Sequence, residues 1–184
     1  CLVESSSLDK PGAAAVRMQG HGTGAHSILT AHNCQVQSNQ GNGLVLWKRS
    51  RATLHSCSMS SSSGHNVAVE GGSSTVLHDC KSNSGYCGLF VSYCGSSAEV
   101  RGSTFSDMRS SHNVAVEDGA SASLHDCVSS NSSVCGLSVR GSGSSAVTHG
   151  STFSSNQHNN IDTQAGAKVE IHHSQCNSSK GGGG

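Results

Sequence analysis

His65-Asn66-Val67-Ala68-Val69-Glu70 returns 47 residues later as His112-Asn113-Val114-Ala115-Val116-Glu117, and Leu77-His78-Asp79-Cys80 returns at the same offset as Leu124-His125-Asp126-Cys127. A fixed period of this length makes each unit one supersecondary step that buries its apolar side only by stacking on its neighbours, so the repeat decides the architecture ahead of any local propensity. A period of about 23 residues lies inside the longer one. It shows when the aliphatic triplets are aligned: Leu44-Val45-Leu46, Val67-Ala68-Val69, Leu89-Phe90-Val91, Val114-Ala115-Val116, Leu137-Ser138-Val139 and Ile161-Asp162-Thr163. A second series follows each triplet: Leu54-His55-Ser56-Cys57, Leu77-His78-Asp79-Cys80, Val100-Arg101-Gly102-Ser103, Leu124-His125-Asp126-Cys127, Thr148-His149-Gly150-Ser151 and Ile171-His172-His173-Ser174, headed by Ala31-His32-Asn33-Cys34. Residues 96–106 (SSAEVRGSTFS) and 144–154 (SSAVTHGSTFS) match most closely, so alternate coils are the most alike and two coils make the 47 to 48 residue unit.

Each coil holds two or three runs of three to five residues with strand-like alternation, separated by Gly, Asn, Asp and Ser, and no stretch of helical length carries a 3.6-residue stripe. Strands recurring in the same order, without a hairpin signal between copies, stack in parallel about 4.8 Å apart. The expected fold is an all-β parallel β-helix of about seven coils of about 23 residues. It spans residues 13–176, with residues 1–12 as an N-terminal extension or cap and residues 177–184 as a Gly-rich tail. The repeat resembles that of the right-handed, pectate-lyase-like β-helices, which occur in carbohydrate-active enzymes and in non-enzymatic repeat domains such as those of F-box proteins. The resemblance implies the fold; it transfers no catalytic base and no calcium carboxylate to any numbered position here.

Alternation assigns faces. Leu54, Cys57, Met59, Leu77, Cys80, Val100, Phe105, Leu124 and Cys127 should point inward, and Cys34, Cys57, Cys80, Ser103, Cys127, Ser151 and Ser174 should form one interior column of small side chains. A thin, regular core of this kind fits a chain with 33% apolar and 3% aromatic residues.

Composition narrows the function classes. Charged residues are 12% and the formal net charge is zero, with no basic block, which argues against a nucleic-acid partner. No apolar run approaches the roughly 18 residues of a membrane-spanning segment. Nine cysteines, several at interior positions, read as small buried hydrophobes and lean toward a reducing intracellular compartment. The sequons Asn131-Ser132-Ser133 and Asn177-Ser178-Ser179 lean the other way. Cys87 and Cys135, two coils apart, should be free thiols unless Cys87 meets Cys94. The opening at Cys1, in mid-pattern, suits an internal piece of a longer chain.

Two surfaces carry chemistry. His32, His55, His78, His125, His149 and His172 share an outward column with Arg101, and imidazoles about 5 Å apart on adjacent coils suit a zinc or copper ion, with His55, His78 and His125 as the metal candidates beside Asp79 and Asp126. As a hydrated stripe, the same column should lose stability on acidification, because protonation near pH 6.5 sets like charges side by side. The outer face of the triplet strands presents Trp47, Glu70, Phe90, Glu117 and Arg140, with Val45, Ala68, Ser92, Ala115, Ser138 and Asp162 among them. Glu70 and Glu117 stand about 9.6 Å apart across two coils, close to the spacing of inverting glycosidase carboxylates, yet both follow from one duplicated unit and Ser92 lies between them. Trp47 and Phe90 suit a sugar ring or an aromatic-seeking protein.

No catalytic residue and no cofactor is assigned, and Ser-His-Asp combinations carry no information in a chain with 12 histidines and serine throughout. The expectation is a non-catalytic scaffold that binds a protein partner, the alternative a carbohydrate-binding or carbohydrate-cleaving module on the Trp47 face. Coil lengths vary by only one or two residues, which favours docking over a cleft; residues 19–27, with His21 and His26, are the one extra loop.

Overall fold

A computed structural model describes residues 2–5, 14–20, 27–38, 40–61 and 63–177. The segment 6–12, the loop histidines His21 and His26 and the glycine tail lie outside the described residues. Among the described residues, twenty-two strands, β1 to β22, build three parallel sheets of eight, seven and seven strands, and each sheet takes every third strand in order. The first sheet runs from β1 (Leu2–Ser5) and β4 (Gln35–Ser38) to β22 (Gln175–Cys176), the second from β2 (Ala14–Gln19) to β20 (Ile161–Gln164), and the third from β3 (Ile28–His32) to β21 (Lys168–His172). One strand from each sheet makes a coil, so the chain winds through seven coils, six steps of about 23 residues, and β22 starts the next. The expected all-β parallel solenoid is thereby found. β1 pairs in register with β4, so its strand falls inside the segment expected to act as a cap.

The turn from the third sheet to the first explains why the coil stays at 23 residues. Its single pivot is left-handed in every coil: Asn33 (φ 53), Ser56 (φ 52), Asp79 (φ 53), Gly102 (φ 58), Asp126 (φ 53), Gly150 (φ 61) and His173 (φ 50). Asn, Asp and Gly tolerate this region best because a short polar side chain or no side chain at all avoids the Cβ clash. At Gly102 and Gly150 the missing Cβ also makes room for a neighbour, since it would fall on Oδ1 of Asp79 and of Asp126 in the preceding coil.

Inward positions form continuous apolar columns. Leu44, Val67, Leu89, Val114 and Leu137 are all within 1% of full burial, as are Leu54, Leu77, Val100 and Leu124. The small-residue column is also found: Cys57, Cys80, Ser103, Cys127 and Ser151 are buried, and Cys34 and Ser174 at its ends are half-buried. Its serines satisfy the turn, with Cys80 N donating to Ser103 Oγ (3.0 Å) and Cys127 N to Ser151 Oγ (3.1 Å). Buried Ser73 accepts from Ser50 N (3.1 Å), and Ser144 accepts from Gly119 N (2.9 Å). The abundance of serine thus has a structural use, closing backbone donors between coils where a purely apolar core would strand them.

The two-coil period has its own physical origin. The position before each triplet alternates Gly43, Asn66, Gly88, Asn113, Gly136 and Asn160. Asn66 and Asn113 are buried, and their Nδ2 groups donate to Ser82 Oγ (2.9 Å) and Asn83 O (3.0 Å), and to Ser129 Oγ (3.0 Å) and Ser130 O (2.9 Å), in the next coil. A Cβ at Gly43 or Gly88 would lie 2.6 Å from the backbone oxygen of the asparagine above it. The interior column of the first sheet alternates as well, as Ser82, Phe105, Ser129 and Phe153.

Candidate functional site

The outer face of the second sheet gathers the richest chemistry. Residues flanking the inward Leu, Val and Ile of β5 (Asn42–Trp47), β8 (His65–Val69), β11 (Cys87–Val91), β14 (Val114–Glu117), β17 (Leu137–Arg140) and β20 point outward by strand alternation. The face divides by coil. Coils two to four are aromatic: Phe90 lies flat on His65 (centroids 4.5 Å apart, planes within 10°), Tyr86 meets His65 edge-on (5.5 Å, 78°), and Trp47 meets Tyr93 edge-on (5.9 Å, 84°). Trp47 and Phe90 are half-buried, while Tyr86 (45%) and Tyr93 (50%) stand exposed. Of the six Trp, Tyr and Phe residues in the chain, four are in this patch; Phe105 and Phe153 fill the core.

Coils five to seven are charged. Glu117, half-buried, is in register with exposed Arg140, and Asp118 accepts from Ser92 Oγ (3.0 Å). Asp162 accepts from Gln164 Nε2 (2.7 Å) and Asn159 Nδ2 (3.5 Å). Glu70 sits on the aromatic side; partial burial raises its carboxyl above the usual range, with Arg17 pulling the other way. Glu70 and Glu117 are two coils apart with Ser92 between them, so the structure does not bring them to one point.

Outward direction is not the same as exposure. Ala68 (1%), Ser92 (2%), Ala115 (2%) and Ser138 (0%) point away from the core yet are covered. The surface available to a partner is therefore the aromatic and charged side chains, with these small residues as its floor. Nδ1 of His65, Nδ1 of His112 and Oγ of Ser138 are buried in it without a hydrogen-bond partner.

Burial also sets the acid-base properties. It depresses the imidazole of His65 to about 4. His112 is lowered too, by burial first and then by Arg140 and His158, against Asp162. These two histidines lie outside the outward column. The Cys87 thiol is pushed up to about 12 and that of Cys127 to about 11, chiefly by burial, and Cys80 and Cys135 move the same way, so these thiols are protonated and poor nucleophiles at neutral pH. Cys34, Cys57, Cys80, Cys87, Cys94, Cys127, Cys135 and Cys176 are all free, Cys87 and Cys94 included.

The histidine column ends the strands of the third sheet, in register from His32 through His55, His78, Arg101, His125 and His149 to His172. Arg101 occupies the rung between His78 and His125, so His55, His78 and His125 do not converge on one ion. Among the described residues, no group of three or more His, Cys, Asp or Glu side chains is placed to hold a metal.

The sequence pattern missed Tyr86 and Tyr93, which lie just outside the aliphatic triplets. The available signal was their position: one residue before and two after β11, they flank the only triplet with an aromatic centre.

No helix among the described residues is long and apolar enough to cross a membrane. Comparison with curated proteins and with solved structures returned no match. The family described as right handed beta helix region matches residues 14–184, nearly the whole solenoid and most of the chain. With three parallel sheets wound in coils of about 23 residues, the chain belongs to the right-handed β-helix family, consistent with the pectate-lyase-like superfamily.

Proposed function

We propose that this β-helix is a non-catalytic scaffold that docks a protein partner on the outer face of its second sheet, within a larger assembly. The observation that carries the reading is the placing of Trp47, Tyr86, Phe90 and Tyr93 on one face of a chain with so few aromatic residues. Tyr and Trp dominate the energetic centres of protein interfaces because they bury a large area at low entropic cost and keep a polar handle. The charged flank of Glu117, Arg140 and Asp162 would orient the partner, as the polar rim of an interface does. The raised thiols and the separation of Glu70 from Glu117 support docking over bond cleavage.

A second reading, carbohydrate binding, is favoured by the same aromatic planes beside Glu70, because sugar rings stack on exposed aromatics. Affinity capture from source extract, run beside a glycan array with wild type and the Trp47→Ala/Tyr93→Ala variant, separates the two. The scaffold reading expects a stoichiometric protein partner that the double variant loses and a blank array. Glycan binding lost in the variant would replace it with the carbohydrate reading.

A further inference from the structure

The outward column of the third sheet is a ladder of imidazoles interrupted once. His32 lies on His55 with centroids 4.7 Å apart and planes within 4°, and His55 lies on His78 at 5.4 Å and 17°. Beyond Arg101, His125 and His149 are 6.0 Å apart and His149 and His172 6.4 Å, while His173, from the turn, comes within 5.1 Å of His149. Arg101 is held by Glu99 (Nη2 to Oε1, 2.7 Å) and divides the ladder into two runs. In-register parallel strands impose this spacing, because each residue stands about 4.8 Å from its counterpart in the next coil.

Two imidazole nitrogens bind a first-row transition ion at about 2.0 to 2.1 Å each, so they must approach to about 3 Å. Rings already parallel at 4.7 to 5.4 Å reach that by side-chain torsion alone, with no change in the coil. The rings are placed for this: His32, His149 and His172 are exposed, and His55 and His78 are half-buried. In the second run, Glu170 Oε2 lies 3.6 Å from His172 Nε2 and adds an oxygen donor. Ser123 Oγ engages His125 Nε2 at 2.8 Å, which leaves His149 and His172 as the freer pair. Imidazole donors favour copper(II), nickel(II) and zinc(II), with copper(II) bound most tightly.

We propose that the ladder is a surface site for divalent transition-metal ions, copper(II) ahead of zinc(II), with two ions held one per run. Each ion is bound by two neighbouring imidazoles, centred on His55 in the first run and on His149 in the second, and water completes its coordination. Arg101 keeps the two ions apart.

Copper(II) titration followed by calorimetry and by electron paramagnetic resonance tests this, on wild type, His55→Ala, His149→Ala and the double variant, with circular dichroism to confirm the fold. Repeating the series with Cys94→Ser and Cys176→Ser removes the two thiols that are exposed among the described residues and compete as ligands. Two equivalents of copper with nitrogen hyperfine coupling are expected; each single variant should lose one equivalent or bind it at least tenfold more weakly, and the double variant both. Zinc should occupy the same sites more weakly. Retention of both equivalents by the double variant would overturn the proposal, as would binding that disappears with the two thiols.

Discussion

His65 shows how a single position on an outward face becomes a stability determinant. Its ring is pressed between Phe90 and Tyr86 with Nδ1 buried and unpartnered, so protonation there means charging an imidazole away from water. Its folded value of about 4 lies below the ordinary 6.5, so its contribution is complete above pH 6.5 and is lost as pH falls from 6.5 toward 4. His112, lowered mainly by burial, acts in the same direction. Urea unfolding at pH 7.5 and at pH 4 should therefore differ by about 2 to 3 kcal/mol from His65 alone. The variant His65→Phe, which keeps a ring on Phe90 but cannot titrate, should remove most of that difference; an unchanged pH dependence would place the acid sensitivity elsewhere. The sequence assigns acid lability to the outward column, on the close spacing of its stacked imidazoles. The repeat gave the position of His65 but not its cover, because the stack depends on Phe90 and Tyr86 one coil away.

At the scale of one coil, the fold was legible wherever the same physical demand recurs at the same offset. The αL pivot, the apolar columns and the Cys/Ser column each repeat a local requirement seven times or nearly so, and the register follows from alignment of the repeats alone. What alignment could not show was cover and contact: the burial of outward-pointing Ala68, Ala115 and Ser138, and the meeting of Trp47 with Tyr93. The asparagine corner lies between these cases, since its alternation with glycine is plain in the sequence but its purpose shows only in the hydrogen bonds. Asn113 Nδ2 donates to two acceptors of the next coil, so Asn113→Ala removes both bonds and opens a gap at a buried corner. A loss of about 2 to 4 kcal/mol is expected in chemical unfolding. Asn159→Ala, at an exposed position whose side chain reaches only Asp162, should change stability by less than about 0.5 kcal/mol. Equal effects of the two substitutions would deny the corner its role.

Across the whole rod, stability depends on where along the axis a side chain sits, because each coil is held only by the coils above and below it. Leu89, in the fourth coil, is fully buried between Val67 and Val114, and its removal weakens two interfaces at once. Val169, in β21, points inward but is only half-buried, with Ala146 of β18 (Ser145–His149) as its single in-register partner. Leu89→Ala should therefore lower the unfolding free energy by about 3 to 5 kcal/mol, and Val169→Ala by about 1 kcal/mol or less. The two should also differ in kind. Hydrogen exchange of the Val169 variant should quicken only in β20 and β21, as local opening of the last coil, whereas the Leu89 variant should quicken exchange across the central coils together. Uniform quickening in both would mean that the rod unfolds as one unit. The proposed docking face centres on the aromatic patch of coils two to four, so the Leu89 variant should weaken partner binding on the Trp47 face without touching a contact residue, and the Val169 variant, which opens only the last coil, should weaken it much less.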